Sequence, residues 1–214
     1  MELNPIDETW AAELATGPLA ALTPLERDIF LTRLRLYWSD ALRPLRRLYG
    51  DRPDFDDCCR RLLAIVAAGY AARPAALRLL DLQRQGEPDW FQQPSMLGYV
   101  AYADRFAGDL RGVAERIPYL VELGVTYLHL MPLLMPRQGP NDGGYAVADY
   151  RAVNPALGTM ADLAGLAGHL RAEGISLCID LVCNHTAKEH EWARRAAAGD
   201  PTYQAYYLMY PDRA

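Results

Sequence analysis

Potentially reactive side chains are densest in Asp180-Leu181-Val182-Cys183-Asn184-His185-Thr186. Ile175–Val182 reads as a buried strand that carries a carboxylate near its end and runs on to an amide and an imidazole. Polar groups in such a place cost free energy unless they are paired, inside the protein or with a ligand. On a ligand-facing edge, Asp180 would orient another group while Asn184 and His185 donate hydrogen bonds to a polar substrate. The plainer alternative is a satisfied strand-end histidine with an aspartate holding a turn, and spacing alone leaves both open. Strand alternation puts Asp180 and Asn184 on one face and His185 on the other, unless the chain bends there.

A second cluster is Asp142-Gly143-Gly144-Tyr145. Paired glycines let the backbone turn tightly and approach a ligand. A carboxylate can accept two sugar hydroxyls, and a tyrosine ring can stack on a sugar face. The same four residues also suit an ordinary Asp-Gly turn. Other chemistries lack their residues. His185, Glu189 and His190 have three residues where the inverted zinc motif needs two. Cys-x-x-Cys, Gly-x-Gly-x-x-Gly, the phosphate loop and Gly-x-Ser-x-Gly are all absent, so neither a metal nor a nucleotide cofactor is expected. His129, at the end of a second strand, reads as a core histidine. The aromatic tail residues Tyr203, Tyr206, Tyr207 and Tyr210 read as packing.

The elements that would position these clusters follow from periodicity. The first ~90 residues read as helical. Thr23-Pro24-Leu25-Glu26 is a capping box that opens a helix with the apolar stripe Leu25, Ile29, Leu36 and Tyr37, which Pro44 should kink or end. A second helix, Phe55–Tyr70, carries Phe55, Cys59, Leu62, Val66 and Tyr70 on one face; a third runs Ala75–Gln85. From Tyr99 the pattern changes to strand Tyr99–Ala103, helix Gly112–Leu123, strand Val125–Leu130, a long loop Met131–Gly158, a helix capped by Thr159 and Asp162, and strand Ile175–Val182. A short helix near Glu189–Ala198 should follow. Strands alternating with helices predict parallel pairing, and ligands bind at the C-terminal edge of such a sheet.

Composition narrows the function classes. The chain has 214 residues, 51% hydrophobic and 23% charged, which suits a packed core. A net charge of −5 gives no basic field for nucleic acid. The longest apolar run, Val125–Met135, is about half of what spans a bilayer, and Met1-Glu2-Leu3-Asn4 does not start a signal peptide. Cys58 and Cys59 are adjacent, and Cys178 and Cys183 sit in one expected strand on opposite faces. A reduced, cytoplasmic chain is therefore expected.

Asp180 through His185 resembles the first signature region of the alpha-amylase family of glycoside hydrolases and transferases. The wider stretches Gly98–Gly108, Tyr127–Leu133, Asn141–Val147 and Tyr150–Thr159 resemble its sucrose-using, glucan-building members, as does the tail from Glu189 through Tyr207 to Pro211-Asp212-Arg213. The resemblance implies an α/β chain: an all-helical domain (1–90), then the first three strands of a (β/α)8 TIM barrel (97–186), then the start of a domain inserted after strand three (187–214). It implies that Asp142 contacts sugar hydroxyls, Tyr145 stacks on the glucosyl ring and His185 donates a hydrogen bond to it. Asp180 would orient an arginine of a neighbouring strand, and Asn184 would support the site. In calcium-binding relatives the asparagine matching Asn184 is a metal ligand, whereas the sucrose-using members do without the ion, so no cofactor or metal is implied.

The implied reaction is retaining glucosyl transfer from sucrose to a growing α-1,4-glucan, with release of fructose. The partners would be sucrose and a glucan acceptor, with neither nucleic acid nor membrane. The nucleophile and acid/base residue are expected beyond Ala214, since a barrel takes ~250 residues, so these 214 residues alone are expected to be inactive. Hydrolysis or isomerisation of sucrose, and a non-catalytic interaction module or pseudoenzyme, remain the alternatives.

Overall fold

The computed structural model describes residues 6–210. The expectations placed on Met1–Asn4 and on Pro211-Asp212-Arg213 lie outside the described residues. The chain divides into two compact units, residues 1–88 and 89–214.

The first unit is helical: α1 (Glu8–Thr16), α2 (Pro24–Tyr49), α3 (Phe55–Ala72) and α4 (Ala75–Gly86). Its capping box forms in full. The Thr23 hydroxyl accepts the Glu26 N–H, and Glu26 accepts the Thr23 N–H. Pro44 does not end α2, which runs on to Tyr49. Losing one backbone donor is costly, yet burial of Phe30, Leu31, Trp38 and Leu42 holds the helix against its neighbours.

Those four residues also correct the expected stripe, because Leu25 and Leu36 are 69% and 60% exposed. In α3 the buried face is Phe55, Cys59, Leu63, Ala67 and Tyr70, whereas Leu62 and Val66 face outward. In both helices several stripes satisfied helical spacing and the facing surface chose: in α2 the face with Phe30 and Trp38, in α3 Leu63 and Ala67 in place of Leu62 and Val66. Trp10 meets Trp38 edge-on at 6.3 Å, and Phe30 meets Tyr70 at 5.0 Å. Among the described residues no single helix is long and apolar enough to cross a membrane.

The second unit is built on three parallel strands in the order β1 (Gly98–Ala101), β2 (Tyr127–Leu130) and β5 (Ser176–Ile179). Val100, His129 and Cys178 lie side by side in register. Helices α5 (Ala103–Ala107), α6 (Leu110–Glu115) and α7 (Ile117–Glu122) connect β1 to β2, and α8 (Met160–Ala172) leads into β5. The core joins Leu128 and Leu130 to Leu110, Val113 and Leu120 and to Leu163, Leu166 and Leu170.

The helix expected over Gly112–Leu123 is two helices broken at Arg116. Pro118, in the first turn of α7, has no N–H to continue the ladder. The Thr159–Asp162 capping box forms as expected.

The region expected as one long loop, Met131–Gly158, contains an antiparallel hairpin of β3 (Leu134–Pro136) and β4 (Val147–Val153). Only the ends of β4, Val147 and Val153, are fully buried, so its alternation is faint in sequence. Strand β5 is shorter than expected and stops at Ile179. Asp180 is thus the first residue past the strand, and Cys183 lies outside it. All four cysteines are free. The tail forms α9 (Glu191–Ala197) and α10 (Pro201–Gln204), with Trp192 and Tyr206 packed edge-on at 5.2 Å.

Candidate functional site

The parallel register explains the first contact of the site. His129 of β2 pairs with Cys178 of β5. Asp180 lies two residues beyond Cys178 and so returns to the same face. The His129 Nε2 and Asp180 Oδ1 atoms are 3.2 Å apart. Among the described residues, the buried Asp180 Oδ2 meets no hydrogen-bond partner. His129 is therefore not a plain core histidine; it holds the carboxylate at the strand end.

Tyr102 follows β1, at the same edge of the sheet. A side chain at Gly143 would meet the Tyr102 hydroxyl at 2.9 Å, and Gly143 has φ +83°. Close approach and left-handed backbone both demand glycine there. The adjacent turn is held by Asn141, whose Oδ1 accepts the N–H groups of Gly143 (3.0 Å) and Gly144 (3.1 Å). With Asn141 holding the turn, Asp142 Oδ1 accepts the Ala146 N–H at 2.8 Å.

Asp142 Oδ2 then lies 3.8 Å from His185 Nε2, and the two side chains are 48% and 45% exposed. That separation is longer than a hydrogen bond, so each group keeps capacity for a third partner. The Ala146 N–H, foremost, then the N–H of Asp142 itself, with smaller effects from His185 and the Tyr145 N–H, hold the Asp142 carboxyl below its usual range. Asp142 is thus a charged acceptor at neutral pH. Asn184 Nδ2 lies 3.4 Å from His185 Nδ1.

Tyr145 lies close enough for the charges of both carboxylates to reach its phenol. Burial, then the charge of Asp180, raises its phenol above the usual value, with smaller effects from Tyr102 and Asp142. It is therefore a neutral hydroxyl in company with both carboxylates.

Of the five sequence candidates, Asp142, Asn184 and His185 form one open group. Tyr145 and Asp180 form a more enclosed group with His129 and Tyr102. The expected parity conflict at His185 does not arise, since residues 180–186 lie outside the strand. Sequence reasoning missed Tyr102, His129 and Asn141. Only an asparagine directly before Asp-Gly-Gly carried a local signal. The arrangement offers a charged acceptor, an imidazole and an amide in one group, with a phenol three residues from the acceptor, which suits a polyhydroxylated ligand. Among the described residues no three His, Cys, Asp or Glu side chains gather as a metal site.

Comparison with known proteins gives the same direction. The family model for the alpha amylase catalytic domain matches residues 81–214. Trehalose-6-phosphate hydrolase of Escherichia coli (strain K12) is 35% identical over 128 residues, covering 56% of this chain and 22% of that protein. Oligo-1,6-glucosidase of Parageobacillus thermoglucosidasius is 39% identical over 108 residues, covering 50% of this chain and 19% of its own length.

Among solved structures, the trehalose-6-phosphate hydrolase of Bacillus licheniformis superposes with a TM-score of 0.51 at 33% identity, over 57% of this chain and 23% of that one. A mutant of MutB in complex with the substrate sucrose superposes with a TM-score of 0.50 at 30% identity, over 56% and 22%. The chain thus spans about a fifth of the length of these relatives. Its three parallel strands are part of a TIM barrel, and the chain belongs to the alpha-amylase family of glycoside hydrolases and transferases, through that family's catalytic domain.

Proposed function

We propose that this chain supplies the sugar-holding part of a sucrose-using, retaining glucosyltransferase resembling amylosucrase. Asp142 and His185 hold the hydroxyls of the glucosyl unit and Tyr145 packs against its ring. Asp180, oriented by His129, and Asn184 support them. The observation that carries this reading is the open pair of Asp142 and His185 at 3.8 Å, each with bonding capacity left, beside Tyr145. In the whole reaction a carboxylate displaces fructose from the anomeric carbon, and the glucosyl group then passes to the end of an α-1,4-glucan. The residues gathered here bind and orient the sugar; bond cleavage is not assigned to them. Residues 187–214 are read as the start of a domain inserted after the third barrel strand.

A second reading is isomerisation of sucrose, favoured by the likeness to a MutB structure holding that sugar. Hydrolysis of sucrose would use the same sugar-holding residues. Titrating the chain with sucrose while following backbone amide resonances tests the shared claim. Shifts should gather at residues 142–145 and 184–185 and vanish in Asp142→Ala, whose spectrum stays folded. Shifts that persist in that variant remove Asp142 from the site. With a protein that carries these residues and a whole barrel, product analysis separates the readings: glucan with fructose, an isomeric disaccharide, or glucose with fructose. Sucrose binding with no turnover would favour a non-catalytic role.

A further inference from the structure

His185 stands on a stretch of chain with little support of its own. Among the described residues, no backbone-to-backbone hydrogen bond begins or ends in 180–186. The next such bond is Ala187 N–H to the Val147 carbonyl, at 2.8 Å. Side chains must therefore hold this segment, and one of them reaches its middle. The Tyr150 hydroxyl, from β4, donates to the Val182 carbonyl, and the His185 carbonyl is a second acceptor at 3.3 Å. These two carbonyls bracket Cys183 and Asn184.

The Tyr150 ring is itself fixed, lying 5.5 Å from the His190 ring and 6.0 Å from the Trp192 ring. Burial raises its phenol above the usual value, which keeps the donating proton in place. The same hairpin also carries the other half of the site. Ala146, just before β4, binds the Asp142 carboxylate, and Val147 receives Ala187. One run of chain thus holds Asp142 through Ala146 and His185 through Tyr150, four residues further on.

We propose that Tyr150 is a positioning residue that sets the placement of the His185 imidazole against Asp142. Its phenol performs no bond-making and touches no sugar. The part of the inference that concerns sugar affinity rests on the proposed function; the part that concerns His185 placement does not.

The test is Tyr150→Phe in the 214-residue chain, which removes the hydroxyl and keeps the ring among His190 and Trp192. With no sugar present, the His185 ring resonances should shift, and the amides of 183–185 should exchange faster, while the spectrum elsewhere is unchanged. Sucrose affinity should fall roughly fivefold to tenfold, the scale of one lost hydrogen bond. Unmoved His185 resonances in a folded variant overturn the proposal. Moved resonances with unchanged sucrose affinity overturn its role in sugar binding. Moved resonances in a protein that binds no sucrose, with or without the substitution, leave the positioning role standing and sink the functional reading instead. If the variant does not fold, the unaltered chain still decides: the Tyr150 hydroxyl proton should exchange slowly enough to be seen by NMR, with contacts to Val182 and His185, and a freely exchanging hydroxyl overturns the proposal.

Discussion

In residues 6–88 two ion pairs that tie helices together close to hydrogen-bond distance, whereas Asp142 and His185, past the strands of residues 89–210, stop short of it. Arg78 meets Glu26 at 2.6 Å and Arg35 meets Glu8 at 2.7 Å. Arg78, foremost, and Thr23 hold the Glu26 carboxyl at about 2. The Asp142 carboxyl is also lowered, but mainly by a single backbone N–H, and its second oxygen faces His185 across 3.8 Å. The second unit uses the closed arrangement too, where nothing else is asked of it. At the start of α8, Thr159 and Arg111 hold Asp162 at about 2. Two carboxylates can thus be equally ionised and differ in what they still have to offer. Glu26 and Asp162 are used up by their caps and arginines, whereas Asp142 keeps an oxygen for a further partner.

The largest test of the two-unit contrast is Leu128→Ala, at a site with no solvent exposure. It should cost the second unit about 2–5 kcal/mol. Hydrogen exchange should rise across residues 89–210 and stay unchanged across 6–88; equal losses in both would show that the units do not unfold separately. Next, Thr159→Ala removes the N-cap of α8 and should cost about 1 kcal/mol by denaturant melt, with residues 6–88 again unaffected.

Smaller effects follow from titration. Glu26 has its folded value depressed from 4.5 to about 2, so its contribution is present above pH 4.5 and is lost as pH falls toward 2. In Arg78→Met this acid loss should shrink in a pH series of helical melts; an unchanged series would mean that Thr23 alone suffices. The weakest is His190, whose value burial, foremost, lowers from 6.5. Its neutral ring accepts the Trp192 N–H at 3.1 Å as the cap of α9. That contribution is present above pH 6.5 and is lost as pH falls through the lowered folded value. Protection of the α9 amides should follow the same course, and His190→Asn, which keeps a capping acceptor, should flatten it.

Local rules made part of this molecule legible in advance. Both capping boxes formed, because a cap involves four consecutive residues and little else. The three parallel strands were legible from short apolar runs separated by helices. The stripe of α2 was not, since Leu25 and Phe30 both satisfy helical spacing and only the facing surface chooses. The hairpin was missed because the inward positions of β4 between its end valines are Ala148, Tyr150 and Ala152, only half-buried, and two of the three are small. In the site, the Asp-Gly-Gly turn was legible as a turn. The pairing of His129 with Asp180 was not, because it depends on the register of strands about 50 residues apart in sequence. Tyr150 carried no signal, since its partners are backbone carbonyls, which every residue has.

The close contact at Gly143 limits how this site can be rebuilt. Removing the hydroxyl of Tyr102 would return space to a methyl group at Gly143, because the next ring atom lies 3.8 Å away. The φ of +83° would remain, and no change at position 102 alters it. A compensating pair of substitutions can therefore repair the collision but not the backbone preference. The hydrogen that serves as this residue's side chain is as hard to replace as any functional group around it.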